Sequence, residues 1–161
     1  MAESRSSSAA DRPTGAELAK YWGVVAAWML VISFLSSDPF SAANTNRYID
    51  PVLRYIFPEI SPAGFVFAHS VIRKAAHLFE FAVLGALSYW ASRRGRAPRW
   101  RTRWALQALL IAGSFALVDE AHQRFITSRT GSLVDAAIDF GGAGFAQAAI
   151  YLRSRRGTVS R

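Results

Sequence analysis

Four long apolar runs constrain this chain more than any other feature. A helix that crosses a hydrocarbon layer about 30 Å thick needs ~20 mostly apolar residues, and each run approaches or reaches that length. The runs cover residues 21–35, 75–91 with a start as early as 63, 104–118 and 133–152, and the first and third extend into their flanking residues. A soluble helix of this length would carry a polar face. The chain is therefore predicted to be an all-α membrane protein, a bundle of four transmembrane helices.

The distribution of Lys and Arg predicts how this bundle is oriented. Thirteen of the nineteen basic residues lie in the N-terminal segment, the connection between the second and third runs, and the C-terminal segment. Cytoplasmic loops of membrane proteins are enriched in Lys and Arg, so both chain ends are predicted to be inside, with residues 36–73 and 119–133 outside. The expected location is a bacterial inner membrane. Binding of nucleic acid by the basic stretch RRGRAPRWRTR is disfavoured, because topology already explains its charge.

The segments before and after the runs are polar. Residues 1–19 lack the apolar stretch and cleavage site of a secretory signal, and their composition predicts a disordered cytoplasmic tail. Residues 20–152 form the predicted transmembrane domain, and residues 153–161 a basic cytoplasmic tail. The chain has no Cys, which excludes disulfides and thiolate metal sites.

The first outer connection has an amphipathic pattern. Residues 47–57 (RYIDPVLRYIF) place apolar side chains at helical spacing, with charged side chains on the other side. This segment is predicted either as an interfacial helix on the outer leaflet or as a loop packed over the mouth of the bundle. The five Trp residues lie mostly near the ends of the runs, where they are expected to anchor the protein at the level of the lipid headgroups.

Polar residues gather where the second run begins, the third ends and the fourth begins. Ionisable groups at membrane depth are costly unless they are paired or solvated, so such a gathering indicates a functional site. The predicted set consists of Lys74, His77, Glu80, Asp119, Glu120, Gln123, Arg129, Asp135 and Asp139. Each residue also has a structural explanation as a helix cap, a charge complementing a helix dipole or a snorkelling side chain.

The charges of this set do not balance. Five carboxyl groups accompany Lys74 and Arg129, so either some carboxyl groups share protons or a cation or cationic ligand completes the balance. A metal ion held by His77 and the carboxylates is the less favoured alternative, because no paired-ligand spacing such as two His residues one turn apart is present. We predict no metal site, and the sequence identifies no cofactor.

Several short motifs run through residues 20–152. They are Lys74-Ala-Ala-His77, Glu80-Phe81, Leu84-Gly85, DEAHQRF at 119–125, Arg129-Thr-Gly-Ser-Leu, and Asp135 with Asp139 and Gly142. In these motifs, and in Ser36-Ser37 after the first run, the sequence resembles the VanZ-like family of small bacterial membrane proteins. It departs from the family at Asp139, where Asn is usual, and at Ala146, where Gly is common. The resemblance implies a cell-envelope function, and the founding type is associated with resistance to glycopeptide antibiotics of the teicoplanin kind.

Two functions fit these residues, and the sequence leaves open whether the protein is an enzyme. In the first, the protein acts on a lipid or lipid-linked molecule: Glu120 or His77 is the general acid or base and Asp119 positions it, while the remaining predicted residues bind the headgroup. In the second, it is a noncatalytic protein that sequesters a lipophilic ligand through aromatic residues of the outer connection such as Tyr48, Tyr55 and Phe57. A transporter is disfavoured, because no internal repeat is detectable.

Overall fold

The helices of this protein follow its apolar runs. The computed structural model describes residues 14–37, 42–94, 100–124 and 132–159, and within these ranges it contains helices and no strand. The helices are α1 (Gly15–Leu35), α2 (Ala42–Ile56), α3 (Pro62–Arg93), α4 (Thr102–Gln123) and α5 (Leu133–Val159). Three of them are long and apolar enough to cross a membrane: α1, α4 and the Leu133–Arg156 part of α5. The all-helical membrane class is thus confirmed.

Helix α3 contains the second predicted span but is not among these three candidate spans. It has 32 residues, more than enough to cross a bilayer. Its middle, however, carries charged side chains such as Arg73, Lys74 and Glu80, which lower its hydropathy. The polar residues that attract functional interest are therefore the same residues that weaken the membrane signal of α3.

Local capping sets where the helices begin. Thr14 and Glu17 form a capping box in which each side chain accepts from the backbone N–H of the other, so α1 begins at Gly15, inside the segment predicted as a disordered tail. Ser61 caps α3 by accepting from the N–H of Gly64, and a proline follows it at the first helical position, where a missing N–H costs nothing. At the other end of the chain, α5 continues to Val159 and includes most of the predicted basic tail.

Helices α1 and α4 run in one direction, since both end where Ser36 bonds to Asp119. α3 runs opposite to α1 and parallel to α5, as the contacts between these helices show. α3 lies at the centre and packs against all four other helices. Its contact with α5 is close because small residues face each other: a Cβ atom on Gly85 would lie 2.9 Å from Cα of Ala143, and one on Gly142 would overlap the carbonyl oxygen of Leu78. Small residues at such positions let helices approach closely in lipid.

Large apolar side chains cover the outside of this assembly. Leu30, Leu110 and Phe145 are each about 70% exposed, as expected for helix faces directed toward lipid acyl chains. The Trp residues do not all follow the predicted pattern. Trp104 is buried, packed edge-on against Tyr89, because α3 and α4 converge there; its primary contacts are inside the protein.

The amphipathic segment at residues 47–57 is helical up to Ile56, where α2 ends, so a helix and not a loop forms there. α2 packs on the first turns of α3. Asp50 Oδ1 and His69 Nε2 are hydrogen-bonded at 2.8 Å, the guanidinium of Arg54 lies 4.9 Å from the ring centroid of Phe65, and Leu53 is buried. The opposite face exposes apolar side chains, including Tyr55.

Candidate functional site

A polar cavity lies between α3, α4 and α5, at the end of the assembly where α4 finishes and α5 begins. Its volume is about 200 Å³. Three helices contribute to its wall, and all but one of the described residues that line it are polar or charged. The lining residues are Ser70, Arg73, Lys74, His77, Glu120, Gln123, Asp135, Ile138 and Asp139.

Helix α3 supplies one wall of the cavity through a single stripe. Ser70, Arg73, Lys74 and His77 follow the i, i+3, i+4, i+7 spacing that places side chains on one face of a helix. Lys74 Nζ lies 3.5 Å from Asp135 Oδ1 of α5, and both side chains are substantially exposed. This pair is therefore solvated and contributes little to stability, but it places a cation at the rim of the cavity.

One turn deeper, an imidazole faces a buried carboxylate. His77 Nδ1 lies 3.5 Å from Asp139 Oδ1, and the side chain of Asp139 is 1% exposed. This distance is within ion-pair range, yet neither the imidazole Nδ1 nor either carboxylate oxygen of Asp139 has a hydrogen-bond partner among the described residues. Burying a carboxylate without such partners is costly. In this part of the wall, the described protein groups therefore leave the hydrogen-bonding capacity of His77 Nδ1 and the Asp139 carboxylate unsatisfied.

Asp119 lies behind the cavity wall, where three helices meet. Its Oδ2 accepts from Ser36 Oγ at the end of α1, at 2.8 Å, and from Gln123 Nε2 one turn further along α4, at 2.7 Å. Its Oδ1 is buried and has no hydrogen-bond partner among the described residues. The carboxylate is thus oriented by two donors on one oxygen while the other oxygen stays available.

Glu120 joins the end of α4 to the start of α5. Its Oε2 accepts from the backbone N–H of Ser132, the residue that precedes the first turn of α5. A carboxylate at a helix N-terminus satisfies an otherwise unpaired donor and complements the helix dipole. Glu120 therefore has a capping role as well as a place in the cavity wall.

His77, Asp119 and Asp139 form a compact group of metal-binding type. One ligand atom from each lies within 4.8 Å of the others. An imidazole nitrogen with carboxylate oxygens is a donor set that divalent transition metals accept. Spacing along the chain disfavours a metal, because it shows no paired-ligand motif. The three residues come from three different helices, a grouping that spacing along one chain cannot reveal.

The structure brings together most of the predicted site residues. Six of the nine predicted residues line the cavity, and Asp119 lies directly behind its wall. Glu80 is not among the lining residues; its carbonyl accepts from Trp28 Nε1. Arg129 lies outside the described residues. Three polar residues and the apolar Ile138 were not predicted to take part. The polar ones are Ser70 and Arg73 in the wall, which the helical stripe would have indicated, and Ser36, which belongs to a noted motif but had no predicted partner.

Packed helices with lipid-facing apolar surfaces and an internal polar cavity define an integral membrane protein with a candidate ligand site. The family comparison agrees with that class. The family model described as VanZ/LLP1 matches residues 21–154, which include α3, α4 and all of the cavity residues, and the chain therefore belongs to the VanZ/LLP1 family. No match to the chain was found among curated proteins or among solved structures.

Proposed function

We propose that this VanZ/LLP1 family protein binds the polar headgroup of a lipid or lipid-linked envelope molecule in its cavity and acts on that headgroup. The observation that carries the proposal is the cavity itself: a polar space of about 200 Å³, bounded by helices whose outer faces are apolar. The proposal includes a bacterial inner-membrane location and, through the family, a contribution to resistance against glycopeptide antibiotics of the teicoplanin kind.

The proposed topology has four crossings, by α1, α3, α4 and α5, with both ends in the cytoplasm. The excess of Lys and Arg on one side supports this orientation. A helix of 32 residues is about 48 Å long at 1.5 Å per residue, which exceeds a hydrocarbon layer of about 30 Å. Measured from Arg93 at the cytoplasmic boundary, about 30 Å of rise ends near Arg73. The cavity would then lie at the outer boundary of the hydrocarbon layer, where lipid headgroups begin.

Single-cysteine labelling tests this topology without background labelling of other cysteines in the protein, because the natural chain has no Cys. Gly15 and Glu59 are suitable positions, since both are exposed. A membrane-impermeant maleimide added to intact cells should label Glu59→Cys and leave Gly15→Cys unlabelled until the membrane is permeabilised. The reverse pattern would place the cavity on the cytoplasmic side and would overturn the outer-leaflet proposal.

The size and charge of the cavity support a headgroup as the ligand. Pockets that enclose whole drug-sized molecules typically measure about 300–1,000 Å³, so this smaller space suits a headgroup whose acyl or prenyl chain remains in the bilayer. Arg73 and Lys74 supply cations on the α3 side, and an Arg fork and a Lys ammonium are the side chains that bind phosphate oxygens. We therefore propose a phosphate-containing headgroup whose phosphate lies on the α3 side of the cavity, away from the carboxylates of Glu120 and Asp139 on the other walls.

Glu120 and His77 are the candidates for proton transfer to or from such a headgroup. Both line the cavity, and each is held by its surroundings: Glu120 through Ser132, and His77 beside Asp139. Positioned acids and bases contribute about 10²–10⁴-fold to rate. Asp119 does not line the cavity and would act by positioning, through Gln123.

Matched substitutions separate a loss of headgroup binding in the cavity from the effects of removing any Arg or His side chain. The Arg73→Ala and His77→Ala proteins should lose copurified phospholipid or lipid-linked phosphate, measured by mass spectrometry of the purified protein, and should lose any resistance phenotype in a teicoplanin growth assay. Arg124→Ala and His122→Ala are the controls, because both residues are exposed and do not line the cavity. Equal lipid content and equal growth in all four variants would contradict the proposal.

A noncatalytic sequestering function is the second candidate, and α2 favours it. Tyr55 is 87% exposed and Phe57 56% exposed, a presentation of aromatic surface that suits a lipophilic ligand. If this function is correct, removing residues 46–57 should reduce ligand retention more than Glu120→Gln does, and purified protein should bind its ligand without converting it. Conversion of the ligand by the natural protein, abolished by Glu120→Gln, would instead support the enzymatic function.

A further inference from the structure

Two buried aspartates, one in the cavity wall and one directly behind it, carry more negative charge than their described neighbours balance. Asp119 and Asp139 are 2% and 1% exposed, and the three buried oxygens Asp119 Oδ1, Asp139 Oδ1 and Asp139 Oδ2 have no hydrogen-bond partner among the described residues. Ionised carboxylates buried in this way are costly unless a cation accompanies them. We propose that His77, Asp119 and Asp139 bind one divalent transition-metal cation, of the Mn²⁺ or Zn²⁺ type.

The positions of the three side chains support a shared ligand. One donor atom from each lies within 4.8 Å of the others. His77 Nδ1 and Asp139 Oδ1 are 3.5 Å apart, close to the roughly 3.4 Å that separates two ligands held at about 2.1 Å from one tetrahedral ion. The third donor, from Asp119, lies within 4.8 Å of the other two and would move slightly closer on binding an ion with bonds of this length. The side chain of Asp139 is aimed into the cavity, which it lines.

The surroundings of Asp119 match those of a metal ligand. Ser36 and Gln123 both donate to its Oδ2, and Oδ1 remains free of hydrogen bonds. Outer-shell donors of this kind fix the orientation of a ligating carboxylate and are a regular feature of protein metal sites. The asymmetry between the two oxygens of Asp119 is therefore accounted for if Oδ1 contacts an ion.

No described Lys or Arg is paired with either buried aspartate. Lys74 is paired with Asp135 at the exposed rim, and of the described Lys, Arg and His side chains only His77 comes within ion-pair distance of Asp139. A divalent ion would balance the two buried aspartates. Three protein ligands would also leave at least one coordination position open toward the cavity, as in sites where water or a ligand oxygen completes the shell.

This inference does not depend on the proposed function, since an ion could have a structural role without any headgroup in the cavity. If His77 ligates the ion through Nδ1, it is a metal ligand and proton transfer falls to Glu120. Failure of metal binding would leave the headgroup proposal intact, and failure of headgroup binding would leave the metal site intact.

Direct metal binding to the full-length protein tests the inference. Purified protein in detergent is stripped with EDTA, exchanged into chelator-free buffer and titrated with Mn²⁺, and the free ion is followed by its electron paramagnetic resonance spectrum; Zn²⁺ is then tested as a competitor. We expect one site per chain and a higher melting temperature with the ion bound. Asp139→Asn and His77→Ala should weaken Mn²⁺ binding by about tenfold or more, since loss of even an outer-shell partner costs about 10–100-fold.

Asp135→Asn is the matched control, because Asp135 lines the same cavity but is paired with Lys74; it should bind Mn²⁺ as the natural protein does. Asp139→Asn removes a buried charge that has no hydrogen-bond partner among the described residues, so its metal-free form should melt at or above the temperature of the metal-free natural protein. Absence of a stoichiometric Mn²⁺ or Zn²⁺ site, or equal weakening by Asp135→Asn and Asp139→Asn, would overturn the inference. So would a stripped protein whose melting temperature is unchanged by either ion.

Discussion

The close contact between α3 and α5 predicts how Ala substitutions at two adjacent glycines, Gly141 and Gly142, change the free energy of unfolding. A Cβ on Gly142 would overlap the backbone carbonyl of Leu78, whereas a Cβ on Gly141 would meet nothing within 4 Å. The neighbouring backbone cannot rotate away as a flexible side chain can, so the cost of overpacking should lie at the upper end of its range, about 3 kcal/mol. Replacing Gly by Ala in a helix gains about 1 kcal/mol from propensity.

Combining the two effects gives opposite outcomes for neighbouring substitutions. Gly142→Ala should lower the free energy of unfolding by about 2 kcal/mol, and Gly141→Ala should raise it by up to about 1 kcal/mol. Because Gly142 lies one turn from Asp139, separation of the helices should also widen the 3.5 Å contact between Asp139 and His77. Gly142→Ala should therefore weaken ligand retention by the cavity while Gly141→Ala leaves it unchanged.

Unfolding in mixed detergent micelles with increasing SDS, followed by intrinsic Trp fluorescence, measures the difference between the two variants. The expected gap is about 3 kcal/mol in favour of Gly141→Ala. Unfolding free energies that agree within about 0.5 kcal/mol would refute the close approach of α3 and α5, since surface substitutions alone vary by that amount.

Three further substitutions test other contacts. Ser36→Ala should destabilise the protein by about 1–3 kcal/mol, because it removes a donor from the buried carboxylate of Asp119; an unchanged SDS midpoint would contradict that contact. Lys74→Ala should change stability by less than about 1 kcal/mol, since its ion pair is exposed, yet should reduce copurified anionic lipid; a large loss of stability would mean that the pair is more buried than described. His69→Ala should release α2 from α3 by removing the bond to Asp50, seen as faster amide exchange in α2, and unaltered exchange would count against that attachment.

The sequence predicted the helices well because hydrophobic length and periodicity are local properties. It also identified Lys74, His77 and Asp119 as polar residues on helix faces. The predicted set also included Glu80, which is not among the residues that line the cavity. Six residues advance a helix by about 600°, so Glu80 points about 120° away from Lys74, and the cavity stripe instead passes through Arg73.

Contacts between distant helices were beyond what the sequence could provide. Ser36 and Asp119 are 83 positions apart, and their hydrogen bond depends on how α1 is rotated and where it ends. The metal-type grouping of His77, Asp119 and Asp139 likewise depends on the relative depth of α3, α4 and α5. Composition determines that these helices are apolar, but packing of small residues such as Gly142 determines their relative positions.

The bond from Ser36 to Asp119 also bears on how the protein can be shortened. All of the described residues that line the cavity belong to α3, α4 and α5, which suggests a minimal three-helix fragment for biochemical work. Such a fragment would lack the hydroxyl that α1 delivers to Asp119 and would leave Gln123 as the sole described donor to that oxygen. The first helix therefore belongs to the smallest unit that can preserve the chemistry of the interior, although it contributes nothing to the visible wall.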